Sequence, residues 1–304
     1  MSAPADSGSV RLVALVAGAT AGIGRVFAQR LAASGHDLIL VARDATRLGT
    51  VADELALQYG INAEALAADL SRDDGMRRVA DRITQEQRLS VLVHSAGFGT
   101  KGRLVNRPFA EQATMLELHV MAPMLHTRAA LPGMIERGRG QIIIVSSVAS
   151  FTYSMGNVNY CATKAWERVF CEGLGLELEG TGVQIQALCP GFTRTEFHDR
   201  AGIDKSKIPR ILWLSADRVV DDSLAQLAAK GPVVCVPTTR YKLVVLGETR
   251  VVCSIVSKYS LNSAFGHAAR TACNIAWRAC DTSRKNPEHI THWMRTTFWK
   301  LWVE

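Results

Sequence analysis

Short apolar runs alternate with longer amphipathic stretches from the start of the chain. Val10–Ala17 reads as a strand and Ile23–Ser34 as the helix that follows it. Leu38–Ala42 is the next strand and Ala45–Tyr59 the next helix, with Gly60 placed to end it in the left-handed conformation that glycine adopts without a steric penalty. Asn62–Ala67, Val91–His94, Gln141–Ser146 and Gln184–Cys189 continue the strands, with helical patterns between them, and Val233–Pro237 supplies a seventh. Strands joined through helices must pair in parallel, with right-handed crossovers. The pattern therefore predicts an α/β fold: a doubly wound parallel sheet of about seven strands with helices on both faces.

After Pro237 this rhythm stops, which divides the chain into residues 1–237 and a C-terminal extension, 238–304. The extension holds four of the six tryptophans (Trp277, Trp293, Trp299 and Trp302), with helical patterning at Ala264–Ala279 and His289–Trp302. The formal net charge of +7 gathers there: from Tyr241 onward nine Lys and Arg stand against four acids. The body is thus nearly neutral and offers no nucleic-acid surface. The extension reads either as a packed or poorly ordered appendage or as a basic amphipathic element making peripheral contact with a membrane.

With 304 residues, 48% hydrophobic and 21% charged, the chain can bury one large core and has little tendency to disorder. No run approaches the roughly 18 apolar residues of an integral membrane segment. The first ten residues, MSAPADSGSV, lack the basic-then-apolar order of a signal peptide. Seven cysteines (Cys161, Cys171, Cys189, Cys235, Cys253, Cys273 and Cys280) include no C-x-x-C pair. A reducing cytoplasm with free thiols, and no metal site, is the expectation.

The first strand runs directly into Gly18-Ala19-Thr20-Ala21-Gly22-Ile23-Gly24, and a helix follows. Glycines there let the backbone approach a pyrophosphate, while the helix N-terminus supplies N–H donors and positive dipole. The motif makes the sheet Rossmann-type. The second strand ends at Val41-Ala42-Arg43-Asp44, with Arg47 one helical turn on. An NAD site needs an acid there for the ribose hydroxyls; a guanidinium at Arg43 suits a 2′-phosphate. Asp44 occupies the place of a helix cap. NADP(H) is therefore expected in preference to NAD(H).

Tyr160 and Lys164 lie four residues apart on a helical segment and so share a face. Ser147 follows an apolar strand that delivers it to the C-terminal sheet edge, where open α/β sheets bind ligands. A phenol near its reference pKa of about 10 exchanges protons poorly at neutrality, and a neighbouring ammonium favours the phenolate. Ser147 can hold a substrate oxygen as charge develops. The set suits proton transfer beside a hydride carrier.

The glycine spacing and the Ser147, Tyr160-x-x-x-Lys164 arrangement together resemble the short-chain dehydrogenase/reductase family over about residues 10–237. The resemblance implies an oxidoreductase acting on CH–OH and carbonyl groups. It implies that Asp69 and Leu70 lie near adenine, that Ser95, Ala96 and Gly97 approach the cofactor, and that Lys164 also holds the nicotinamide ribose. It places Pro190, Gly191, Thr193 and Thr195 beside the carboxamide and pyrophosphate, and expects a homodimer or homotetramer through the helices of Met115–Met134 and Tyr160–Glu179. The second helix carries Ala165, Val169, Gly173 and Leu176 as a small apolar stripe.

Departures from the family pattern are Ala17 for its usual Thr, His94 and Ser95 for two Asn, and His119 for the Asn that holds a water linked to the active-site lysine. His119 either anchors such a water, and so counts among the catalytic candidates, or is packed structurally, or competes with Lys164 when charged. Phe98–Arg103, Phe151–Val158 and Phe192–Trp213 are the expected substrate wall. Their Phe151, Tyr153, Met155, Phe192, Phe197 and Trp213 suit a small hydrophobic ketone, aldehyde or alcohol. The departures also motivate a second reading, an NADP-binding protein with little turnover that acts as a sensor or partner.

Overall fold

The computed structural model describes residues 11–197 and 208–246. The helical patterns expected at Ala264–Ala279 and His289–Trp302 lie outside the described residues, as do the four tryptophans and three cysteines of the extension. Seven parallel strands, in the order β3-β2-β1-β4-β5-β6-β7, form one sheet: β1 Val13–Ala17, β2 Asp37–Ala42, β3 Ala63–Ala67, β4 Leu89–His94, β5 Gly140–Val145, β6 Val183–Leu188 and β7 Val234–Cys235. The strand count and direction agree with the sequence pattern.

The helices are α1 Gly22–Ala33, α2 Ala45–Tyr59, α3 Asp73–Gln85, α4 Phe109–Leu116, α5 Ala122–Glu136, α6 Val158–Glu177 and α7 Ala216–Ala228. α1 packs against α2 and α7, and α3 against α5, so the sheet is covered on both faces. Between α4 and α5 the chain widens into one π turn, Glu117–Met121, the kind of local widening that often accompanies a functional site. Residues 239–246 are helical again.

β1, β2 and β4 are buried almost throughout because both sheet faces are covered there, and this explains their unbroken Val, Leu and Ile. β3 is an edge strand, and its exposed Glu64 receives Arg82 from α3. Asp44 does cap α2, accepting from the Arg47 amide at 3.0 Å, and Gly60 ends it with φ of 62°. Phe27 of α1 is fully buried against the central strands. Truncating it to alanine should cost about 3–5 kcal/mol in urea unfolding, whereas Leu57, 89% exposed on α2, should change stability by less than about 0.5 kcal/mol when replaced by alanine.

Candidate active site

Strand order reverses direction between β1 and β4, and the crevice at their C-terminal ends receives the candidate residues. Gly18 ends β1 with φ of 82°, and a Cβ on it would lie 2.8 Å from the Ala96 nitrogen. A Cβ on Gly24 would lie 2.2 Å from the Gly18 carbonyl oxygen. The turn closes only with glycine at both positions. Its shape leaves backbone rather than side chain facing the start of α1, the cradle that a pyrophosphate needs. Thr20, Gly22 and Ile23 complete the turn, Ile23 half-buried against the core and Gly22 against the Thr195 side chain.

Arg43 is exposed at the end of β2, and its charge reaches Asp69 at the end of β3. Burial alone would raise the Asp69 carboxyl, but hydrogen bonds from the Ser71 hydroxyl (2.7 Å) and amide (3.1 Å), helped by Arg43, hold it below the usual range. Leu70 points into the core, so only its backbone can meet a ligand. Arg47 is tied across the crevice mouth to Glu196, with 2.5 Å between Nη2 and Oε1. That bond links the start of α2 to the loop after β6. At β4, the Ser95 amide donates to Ala17 O at 2.9 Å, Ala96 packs on Gly18, and the exposed Gly97 lies against the His119 imidazole.

Pro190 O receives the Val148 amide at 3.0 Å, joining the loop after β6 to the segment carrying Ser147. The buried Thr193 donates to Gly191 O at 3.0 Å, and the Thr195 hydroxyl accepts from the Phe197 amide at 3.3 Å. Gly191 is packed under the ring of Tyr241, where no Cβ would fit. The Tyr241 hydroxyl donates to Leu212 O at 2.7 Å and accepts from the Phe192 amide at 3.0 Å. Tyr241 thus pins the Pro-Gly loop from beyond the last strand, a role that nothing in its local sequence signals.

Ser147 follows β5 and caps a short 3-10 turn, its Oγ accepting from the Ala149 amide at 3.1 Å. It also hydrogen-bonds Tyr160. Ser147, Tyr160 and Lys164 therefore meet at one place, as their spacing suggests. The electrostatics differ from expectation. Burial raises the Tyr160 phenol above its ordinary value; the Ser147 hydrogen bond opposes this, and the nearby Glu167 charge adds to it. The Lys164 ammonium has its hydrogen bonds elsewhere. Nζ lies 3.0 Å from Glu167 Oε1 and 2.9 Å from Val145 O, and 5.8 Å from the Tyr160 ring centroid. Glu167 was legible as an acid one turn beyond Lys164 on a face of Cys161, Thr163, Lys164 and Cys171, all buried. Its pairing with the lysine was not.

His119 sits on the π turn, fully buried. The Phe98 amide donates to Nε2 at 3.1 Å, so the ring proton lies on Nδ1 and goes to Thr163 Oγ1 at 3.0 Å. Thr163 donates to Tyr160 O at 2.9 Å. Both ring nitrogens are used within the protein, and burial, reinforced by Lys164, holds the imidazole neutral far below its usual range. With the ring neutral and hydrogen-bonded on both sides, His119 adds no charge beside Lys164. His94 is also buried and neutral, its ring centroid 5.7 Å from that of His126, whose Nε2 donates to Met76 O at 3.1 Å.

The expected apolar wall divides. The Phe197 ring centroid lies 5.9 Å from that of Tyr160, Phe98 meets His119 at 5.8 Å, and Phe192 meets Trp213 at 5.8 Å. Phe151 instead stacks under Arg168, away from this group, while Tyr153 and Met155 are 78% and 81% exposed. Residues 198–207 of the wall lie outside the described residues. Among the described residues no cluster of three or more His, Cys, Asp or Glu could hold a metal.

Two measurements follow from these contacts. Tyr241→Phe should cost about 1–3 kcal/mol, because the Phe192 amide loses its acceptor, and should speed hydrogen exchange at that amide. Lowering pH from 7 to 5.5 should destabilise the fold by roughly 2 kcal/mol. Three histidines with depressed folded values (His94, His119 and His126, the last at about 4) charge only in the unfolded chain below their ordinary 6.5. Glu167, raised to about 7 by burial, takes up its proton in the folded state over the same range and offsets part of that loss. Urea unfolding at the two pH values measures the balance.

The family model described as "short chain dehydrogenase" matches residues 12–205. Among curated proteins the chain is 34% identical over 183 residues to an oxidoreductase of Bacillus subtilis, YmfI, covering 60% of this chain and 75% of that one. It is 31% identical over 185 residues to the 3-oxoacyl-[acyl-carrier-protein] reductase FabG of Aquifex aeolicus, with the same 60% and 75% coverage. Among solved structures, a short-chain dehydrogenase from Sphingobium yanoikuyae in complex with NADPH superposes with a TM-score of 0.72 at 33% identity, covering 79% of this chain and 95% of that one. A bulky-bulky ketone specific alcohol dehydrogenase from Comamonas testosteroni gives 0.69 at 27% identity, covering 80% and 94%. The glycine cradle at the sheet's reversal point, the meeting of Ser147, Tyr160 and Lys164, and these likenesses have one explanation: the chain belongs to the short-chain dehydrogenase family of oxidoreductases acting on alcohol and carbonyl groups.

Proposed function

We propose that this protein is an NADP(H)-dependent reductase or dehydrogenase interconverting a hydrophobic ketone or aldehyde and its alcohol. The observation that carries this reading is the convergence of Ser147 and Tyr160 beside the β1–β4 crevice, bordered by aromatic side chains. The nicotinamide, when bound, supplies or accepts the hydride. Gly18, Thr20, Gly22, Ile23 and Gly24 fit the pyrophosphate, and Asp69, Leu70, Ser95, Ala96 and Gly97 line the path from adenine to nicotinamide. Pro190, Gly191, Thr193 and Thr195 close the far side.

Tyr160 gives its phenolic proton to the carbonyl oxygen as charge develops there, and Ser147 donates a hydrogen bond to the same oxygen. Lys164 stabilises the phenolate left behind and holds the ribose. His119, with both nitrogens used, positions Tyr160 through Thr163 rather than moving a proton itself. Phe197, Phe192, Trp213 and Phe98 favour an apolar substrate over a sugar. Exposed Val169 and Leu176 on α6, with Leu116 and Met121 near the π turn, support assembly into a homodimer or homotetramer through these helices.

One observation favours the second reading, an NADP-binding protein with little turnover: Lys164 is paired with Glu167 and the Tyr160 phenol is raised. Fluorescence titration with NADPH and NADH, followed by NADPH consumption over apolar ketones, separates the two. Tighter binding of NADPH, weakened about tenfold or more by Arg43→Ala, is expected, since a guanidinium–phosphate pair contributes roughly 1.5–3 kcal/mol. Tyr160→Phe should keep that binding and lose turnover by at least about 100-fold. Cofactor binding with no turnover on any ketone or alcohol would support the second reading, and no binding of either nucleotide would overturn both.

A further inference from the structure

The Lys164–Glu167 pair lies within the core of the site: the side chains are 6% and 2% exposed, on successive turns of α6. Two of the three ammonium donors are directed inward, to Glu167 Oε1 and to Val145 O at the end of β5. The Ser146 hydroxyl donates to Lys164 O at 2.7 Å and lies close enough to the carboxylate to favour its charge, while Glu167 Oε2 makes no hydrogen bond of good geometry. A carboxylate in that position is costly unless it is held by the ammonium. The ammonium is in turn drawn away from Tyr160.

We propose that Glu167 is a positioning residue that sets how much of the Lys164 charge reaches Tyr160. With Glu167 ionised the pair is neutral overall, and the phenol experiences burial and little compensating charge. When Glu167 takes up one proton from solvent, forming only its own O–H bond, the pair carries +1, and the ammonium is released to favour the phenolate. The proposal rests on the reading of Tyr160 as the proton donor for its functional meaning, but the electrostatic coupling stands on the geometry alone.

The other groups facing the pair leave this carboxyl as the one that changes charge near neutrality. From α6, Cys171 is a thiol held neutral by burial, and Arg168 is occupied with Glu172 and Phe151. From the end of β6, Cys189 is pushed up to about 11 by burial. From β4 and the π turn, His94 and His119 face Lys164 and are kept neutral by the same burial. Glu167 itself is raised to about 7, burial outweighing the ammonium.

The test is a tyrosinate absorbance titration of the full-length protein, with the Tyr160 signal taken as the difference from Tyr160→Phe. Glu167→Gln keeps an oxygen for the ammonium but removes the charge, and should lower the Tyr160 ionisation by about one pH unit or more. Glu167→Asp keeps the charge and should titrate close to wild type. Glutamine and aspartate variants that both match wild type, or that shift equally, would overturn the proposal. A measurement without a Glu167 variant covers the case in which Gln fails to fold. The isotope-labelled ring resonance of Tyr160 in the wild-type protein should inflect near neutral pH as Glu167 titrates; a flat resonance there overturns the coupling. Neither readout uses substrate or cofactor, so absence of NADPH consumption would count against the oxidoreductase mechanism and leave this result unaffected.

Discussion

The reversal of winding between β1 and β4 is the constraint on which the rest of the molecule depends. Right-handed crossovers carry β1 to β2 and β3 in one direction, and β4 to β5 and β6 in the other. The two central strands stay paired to their last residues, but the chain leaves them in opposite directions, so a crevice opens above their C-terminal ends. Gly18 and Gly24 turn the backbone tightly there because carbonyl and amide approach distances leave no room for a side chain. Most of the candidate residues lie beyond the C-terminal ends of strands, with His119 brought in from the π turn and Tyr160 and Lys164 from α6. Their convergence follows from the sheet and not from proximity in sequence.

Within this frame the face of α6 that meets the sheet carries an unusual load. A helix face against a parallel sheet is ordinarily apolar, and Cys161 and Cys171 obey the rule. Thr163, Lys164 and Glu167 do not, and each is held in a different way, with Glu167 Oε2 left without a hydrogen bond. Thr163 relays between His119 and the Tyr160 carbonyl, while Lys164 and Glu167 compensate each other. Such a network holds the tyrosine in place because leaving any member unpaired in the interior is costly. It also makes the reactivity of the phenol depend on charges that do not touch it.

The loop after β6 shows the same division of labour at a longer range. Pro190 and Gly191 are recognisable in the chain, yet their position is held by Tyr241, from a helical segment beyond the last strand, and by Arg47 from α2 through Glu196. Neither tether follows a local pattern. A phenol that donates to one carbonyl and accepts from one amide has no signature until the two loops it joins are brought together.

Strand and helix positions were legible because burial on two covered faces demands unbroken apolar runs in strands and a 3.6-residue period in helices. The ends of α2 show it most clearly, with Asp44 and Gly60 serving as its caps. The glycine turn, Ser147, and Tyr160 with Lys164 were legible for a related reason: spacing along a single element already determines which side chains share a face. What the tertiary structure decided were the partners. His119 was equally compatible with anchoring a water and with being packed, and its partners, the Phe98 amide and Thr163, come from other segments. Lys164 was read as Tyr160's neighbour, and its ammonium lies 5.8 Å from that ring centroid, but its hydrogen bonds to Glu167 and Val145 O were not legible. Periodicity and spacing are properties of one segment, which the sequence by itself determines. Charge compensation in a low-dielectric interior depends on atoms from several segments at distances of about 3 Å, which only the folded chain sets.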